Sequence, residues 1–254
     1  MGKILSISNQ KGGVGKTTTA VNLGYALAKR GIKCLLCDID PQGNATTGVG
    51  VDRNQMKYSS YDVLIGQATL DQAIVKTPYE NLYIIPSKMD LAGAEVELVD
   101  MDKREYRLKE GLKKAKDDFQ FTLIDCPPSL GLLTVNSLVA ADQVLIPIQT
   151  EYYALEGLSQ LLSTINLIHK TLNPSLSIFG VLLTMFDERT TLSRQVASEV
   201  KKYFGDQLFG SVIPRNVRVS EAPSYGQPIS VYDPTSKGAT SYEMLAEEVI
   251  KGGR

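Results

Sequence analysis

Four stretches of the 254-residue chain carry residue types and spacings that could do chemistry. The first is ISNQKGGVGKTTTAVNL, residues 7–23. Gly15, Lys16 and Thr17 fill the last three places of the phosphate-loop pattern G-x-x-x-x-G-K-[ST]. Gly12, Gly13 and Gly15, with Val14 between them, let backbone N–H groups turn inward and form an anion nest at a helix N-terminus. Lys16 is placed to reach the β- and γ-phosphates of a nucleotide, and the Thr17 hydroxyl, followed by Thr18, to ligate Mg²⁺. The pattern breaks at residue 10, where its opening glycine is replaced by Gln10, and a second lysine, Lys11, follows. Two neighbouring cations repel unless an anion lies between them, so Lys11 points to a phosphate contact of its own.

CDIDPQGNATTG, residues 37–48, places Asp38 and Asp40 at the end of an apolar run, with Pro41 and Gly43 forcing a turn. Period-two alternation predicts that Asp38 and Asp40 point the same way. A carboxylate beside a nucleotide can orient or deprotonate the attacking water. In FTLIDCPPSLG, residues 121–131, four strand-forming residues lead to Asp125, suited to hold Mg²⁺ through water, and Pro127 and Pro128 stop the strand. SVIPRNVRVSEAPSYGQPI, residues 211–229, follows a further strand. Thr184-Met185-Phe186-Asp187 has the spacing of a guanine-reading N/T-K-x-D box without its lysine, which favours ATP over GTP.

The elements that must position these groups are legible as alternating short apolar runs and amphipathic stretches. Predicted strands are 3–9, 33–38, 82–86, 121–125, 143–148, 177–184 and 207–213; predicted helices lie near 16–30, 103–116, 131–141, 154–171, 191–203 and 239–250. Several strands are apolar on both parities, as strands buried on both faces should be. The pattern predicts one α/β domain over residues 1–254, a mostly parallel twisted sheet with helices on both faces. The least regular part, 41–80, follows a strand's carboxyl end and is either a mobile switch or a surface excursion.

Bulk composition narrows the function further. Hydrophobic residues make up 43% and charged residues 22%, ordinary for a globular domain. Lys plus Arg, 27, nearly cancels Asp plus Glu, 28, so nucleic-acid contact would need a local patch. No apolar run approaches the roughly 18 residues that span a bilayer, and no signal peptide is read at the N-terminus. Three cysteines, an odd number, fit a reducing compartment, hence a cytoplasmic location. Cys34 and Cys37 have a metal or redox spacing, but within a buried strand that spacing turns them to opposite faces, the geometry of core packing. The lone His169 is assigned no role. Tyr242, Leu245, Ala246 and Val249 form one face of the last helix, beside Glu243, Glu247 and Glu248, the wrong charge for a membrane anchor.

KGGVGKTT resembles the deviant Walker A box of the ParA/MinD class of P-loop ATPases, whose signature is the early lysine. CDIDPQGN resembles the DxDPQGN box of ParA proteins, DCPPS their DxPPS box, and residues 211–229 the C-terminal signature of chromosomal, Soj-type ParA proteins. The resemblance covers nearly the whole chain. It implies a homodimer sandwiching two ATP molecules with Mg²⁺, in which Lys11 acts on the opposite subunit's phosphate. By the same resemblance Asp40 serves hydrolysis and Asp38 joins Asp125 in the magnesium shell. Pro214, Arg215 and Asn216 would lie against adenine, mainly through backbone groups. Arg189 and Arg218 match arginines that bind DNA without sequence preference in Soj-type relatives, and Lys201 and Lys202 are further candidates. The implied partners are double-stranded DNA and a ParB-like centromere-binding protein, the implied location the nucleoid, and the implied outcome chromosome or plasmid segregation. The N-terminal extension of larger plasmid ParA proteins is not expected. The competing readings are a MinD-like membrane-positioning ATPase, and an iron–sulfur or metal-delivery ATPase of the same superfamily, for which Cys126 beside Asp125 is the cysteine to watch.

Overall fold

A computed structural model describes residues 2–151 and 154–252. Eight strands form one sheet: β1 (Lys3–Ile7), β2 (Cys34–Asp38), β3 (Val75–Lys76), β4 (Leu82–Ile85), β5 (Phe121–Asp125), β6 (Gln143–Gln149), β7 (Ser177–Phe186) and β8 (Leu208–Pro214). Their spatial order is β3-β4-β2-β5-β1-β6-β7-β8. Every pairing is parallel except that of the two-residue β3 with β4. Parallel strands need crossovers, and the sequence supplies them as helices. The long ones are α1 (Lys16–Lys29), α2 (Leu132–Ala140), α3 (Ala154–Thr171), α4 (Thr191–Phe204) and α5 (Lys237–Ile250).

The sheet divides the core into two layers, and side-chain alternation decides which residue enters which. Leu5, Ile7, Cys34 and Leu36 pack with α1 and α5 on one face. Ile4, Leu35 and Cys37 belong to the other, with Leu138 of α2, Leu161 of α3 and Val196 of α4. Cys34 and Cys37 thus sit in opposite layers, both thiols pushed far up by burial, as their strand spacing predicts. Helix α1 approaches β2 so closely that a Cβ on Gly24 would lie 2.8 Å from the Leu36 side chain. The apolar face of α5 (Tyr242, Leu245, Ala246, Val249) is buried in this core, while Glu243 pairs with Lys29 and Arg30 of α1. Among the described residues no helix is long and apolar enough to cross a membrane.

Two segments differ from expectation. The predicted helix over 103–116 is broken into a 3₁₀ turn at Arg104–Tyr106 and short helices at Arg107–Gly111 and Ala115–Asp118. Lys103 has φ of 53°, and a Cβ on Gly111 would meet Val63 at 2.4 Å, so local backbone geometry and close packing prevail over the apolar period. Segment 41–80 holds short helices at Asn44–Gly48, Ser60–Ile65 and Leu70–Ala73. Two begin with capping boxes, Ser59/Asp62 and Thr69/Gln72, which bind their free N–H groups and stabilise helices otherwise too short to persist.

Candidate nucleotide site

The carboxyl ends of β1, β2 and β5 converge because their register is parallel and in step. Ile7 pairs with Asp125 and Asp38 with Asp125, so the phosphate loop leaves the sheet directly beside two carboxylates. Within the loop, Gly13 and Gly15 have φ of +73° and +88°, the left-handed region that a side chain would oppose. Gln10 is not among the positive-φ residues, so the missing opening glycine leaves no strain. Two outside groups brace the turn: Thr184 Oγ1 donates to the Val14 carbonyl at 2.8 Å, and Asn9 Oδ1 accepts from Lys11 N at 3.0 Å. The loop's own lysine, Lys16, is buried and donates to the Lys11 carbonyl at 3.0 Å. Burial lowers its ammonium pKa, while Asp125 and Asp40 act to raise it.

A cleft of about 720 Å³ opens over this loop, room enough for a nucleotide. Gly13, Gly15, Lys16, Thr17, Thr18 and Asp40 line one side. Pro214, Arg215 and Asn216 line the other, with Met185, a non-glycine residue at φ 48°. Asn216 also caps the short helix Val217–Glu221 by accepting from Arg218 N at 2.8 Å. The expected base-side segment therefore faces the phosphate loop across one cavity.

The three aspartates play different parts. Asp38 is fully buried, and both its oxygens are engaged within the chain: Oδ1 accepts from Asp40 N at 3.2 Å, Oδ2 from Thr46 N and Oγ1 at 2.8 and 2.7 Å. It fixes the turn that follows β2. Asp40 lies beyond the strand end, at the cleft wall, where its carboxylate accepts from Gln42 N at 3.0 Å. Strand β2 ends at Asp38, two residues before Asp40, and the turn follows at Pro41 and Gln42. Asp125 is 1% exposed, and among the described residues neither of its carboxylate oxygens has a hydrogen-bond partner. Burial, then the nearby Asp38, raises its pKa well above the carboxylate range, with Thr17 and Lys16 acting the other way.

An orphaned buried carboxylate beside a threonine hydroxyl fits a divalent cation. Among the described residues no group of three or more His, Cys, Asp or Glu could hold a metal alone. Magnesium is held by one or two protein oxygens plus phosphates and water rather than by a protein cage.

Lys11 does not line the cleft. Its Nζ lies 3.3 Å from Glu151 Oε2, in the segment after β6, and Arg215 approaches the other Glu151 oxygen at 3.7 Å. Gln10 Nε2 donates to Gln160 Oε1 of α3 at 2.7 Å. Glu151 and Thr184 carry no sequence signal for their contacts with Lys11 and Val14, which join residues more than 100 positions apart.

The candidate DNA contacts are dispersed. Arg189 is 84% exposed and bidentate on Asp187, at 2.9 and 2.8 Å, which lowers that carboxyl's pKa. Arg218 pairs with Glu221 and Asp233. Lys202 pairs with Glu199, and Lys201 and Lys202 stand at the far end of α4, roughly 15 Å from its start at 1.5 Å per residue. A second cleft of about 750 Å³ brings Arg189 together with Arg215 and Lys237, the last unremarked in sequence. His169 Nδ1 lies 2.9 Å from the Leu176 carbonyl, a contact that joins the end of α3 to the turn after it.

Known proteins resemble this chain over nearly its whole length. A family model described as an AAA domain matches residues 2–178. The chain is 58% identical over 253 residues to the sporulation initiation inhibitor protein Soj of Bacillus subtilis, covering 100% of both chains. It is 53% identical over 250 residues to the chromosome-partitioning ATPase Soj of Treponema pallidum, covering 98% of each. Among solved structures it matches the cobyrinic acid a,c-diamide synthase of Mycobacterium smegmatis with bound ATP analogue and magnesium, at 39% identity and a TM-score of 0.86, covering 100% of this chain and 98% of that one.

Proposed function

The chain belongs to the Soj/ParA family of chromosome-partitioning ATPases, and from that premise we propose that it works as an ATP-gated dimer that holds DNA. ATP occupies the cleft between the phosphate loop and Pro214–Asn216 and draws two chains face to face. The observation that carries this reading is the position of Lys11: it stands outside its own cleft, its Nζ paired with Glu151, with a side chain that could reach a second chain's phosphate.

Within each chain Lys16 and the loop N–H groups bind the phosphates and fix their orientation. Thr17 and Asp125 would hold a magnesium ion there, which supplies charge neutralisation to the phosphates when bound. Asp40 orients the attacking water from the cleft wall. Lys11 of the opposite chain places a positive charge where the transferred phosphoryl group gains negative charge, the role of an arginine finger. Asp38 acts by holding the Asp40 turn in place.

Dimerisation doubles the basic surface around Arg189, Arg218 and Lys237. Since Arg189 and Arg218 are each paired with acidic side chains of their own chain, one chain's patch is weak, and DNA binding depends on ATP. A ParB-like partner then stimulates hydrolysis and releases the dimer from the nucleoid. An electrophoretic shift of double-stranded DNA with ATP, with ADP and without nucleotide tests the reading. It predicts a shift with ATP alone; equal binding in all three states would rule out the switch.

A further inference from the structure

The end of β1, the end of β5 and helix α2 meet at a buried ring of four polar side chains. Ser6 lies in β1 and Ser8 just past it, Cys126 follows Asp125, and Ser137 is on α2. All four are fully buried. Ser6 Oγ is 2.6 Å from Ser8 Oγ and 2.7 Å from Ser137 Oγ. Cys126 Sγ is 2.9 Å from Ser137 Oγ, 3.2 Å from Ser8 Oγ and 3.4 Å from Ser6 Oγ. These are five contacts among four groups with one proton each, so four at most are hydrogen bonds at any instant.

The surrounding layer is apolar, with Ile4, Ile124, Leu133 and Leu138 all buried in it. In such a layer a hydroxyl without a partner is costly, so each member of the ring is held at the distance its neighbours require. The ring's placement gives that rigidity a use. Cys126 opens the Pro127–Gly131 loop, and Ser137 is on the helix that closes it. Ser8 immediately precedes Asn9, which braces Lys11 at the start of the phosphate loop. Thr134 Oγ1 donates to the Ser129 carbonyl at 2.6 Å, fastening the middle of the same loop to α2. The ring therefore ties both ends of the loop after Asp125 to the strand that feeds the phosphate loop.

We propose that Cys126 is a positioning residue: through Ser6, Ser8 and Ser137 its thiol fixes the Asp125 carboxylate and the following loop relative to the bound phosphates. The proposal rests on Asp125 belonging to the ATP site; its labelling test requires neither dimer nor DNA, whereas its turnover test reads the dimer that hydrolyses ATP.

Two measurements test it. In the full-length protein, iodoacetamide labelling followed residue by residue by mass spectrometry reports how often each buried thiol opens. Ser137→Ala should speed labelling of Cys126 about fivefold, the effect of one lost buried hydrogen bond, with Cys34 and Cys37 unchanged as internal controls. An unchanged Cys126 rate would overturn the ring's role. In steady-state turnover, Cys126→Val should lower kcat about tenfold with KM for ATP changed less than about twofold, the signature of a misplaced group rather than lost binding. Cys126→Ser, which keeps a hydrogen-bonding group, should stay within about threefold of the parent. Normal turnover in Cys126→Val, or equal damage in both variants, would contradict the proposal. If Cys126→Val does not fold, Ser137→Ala takes its place in the turnover assay, and normal turnover there overturns it. Normal turnover in Asp125→Asn would instead remove the underlying reading of the site.

Discussion

Lys11 Nζ rests 3.3 Å from Glu151 Oε2, with the two side chains 32% and 45% exposed, outside the cleft that its own phosphate loop lines. An ion pair this open to water contributes no more than about 1 kcal/mol, so the lysine is restrained but not committed. Lys11→Ala should therefore leave the affinity of the single chain for ADP within about threefold of the parent, measured by calorimetry, while abolishing ATP-dependent dimerisation. A loss of affinity beyond about tenfold would place Lys11 at its own phosphate.

Asp125 bears the opposite relation to its surroundings, a carboxylate buried with no hydrogen-bond partner among the described residues. Asp125→Asn replaces a buried carboxyl whose ionised form is unfavourable without a cation, so the nucleotide-free protein should melt at a temperature equal to or above the parent's, by up to about 4 °C. The same variant should lose the extra stabilisation that magnesium adds to ADP. A nucleotide-free variant melting well below the parent would show that Asp125 is a structural anchor instead.

The raised carboxyl pKa values set the sign of a pH effect. Burial pushes Asp38 up to about 6, and burial together with Asp38 pushes Asp125 well above the ordinary range near 4. Above that ordinary range the folded chain retains protons that the unfolded chain has lost, so nucleotide-free stability falls as pH rises from about 4 through 6. Magnesium-bound nucleotide requires the Asp125 carboxylate and so releases a proton on binding. The rise in Tm given by Mg·ADP should accordingly be larger at pH 7.5 than at pH 5.5, and the part due to Asp125 should vanish in Asp125→Asn. A pH-independent rise would contradict these assignments.

Asp40 stands at the cleft wall rather than in the β2 ladder. Asp40→Ala should reduce ATP turnover by about 100-fold or more while leaving ATP affinity within about threefold, and should accumulate an ATP-bound dimer on size-exclusion chromatography. Rapid turnover in this variant would move the water-orienting role elsewhere.

Local signals located most of this site. Strand β5 is expected at 121–125 and is found there, because four strand-forming residues lead to Asp125 and two prolines stop the run. Glycine placement gave the phosphate loop for the same kind of reason: the backbone needs left-handed conformations at Gly13 and Gly15. The helices capped by Ser59/Asp62 and Thr69/Gln72 escape the sequence reading because they stand in segments too short for an amphipathic period to reveal. The different fates of Asp38 and Asp40 depend on where β2 ends, which sequence locates only to within a few residues. Glu151 against Lys11 and Thr184 against Val14 lie beyond local pattern, since only the order of strands around β1 brings them together.

The central claim is that Lys11 completes the site of a second chain, and mixing two inactive variants tests it most directly. In an equimolar mixture of Lys11→Ala and Asp40→Ala, with the mixed dimer verified by crosslinking, one of the two sites holds an intact Asp40 and receives Lys11 from its partner. If Lys11 acts across the interface, ATP turnover should reappear at roughly a quarter to a half of the parental rate. Turnover no greater than the sum of the two variants alone would show that Lys11 serves its own chain and would contradict the sandwich dimer.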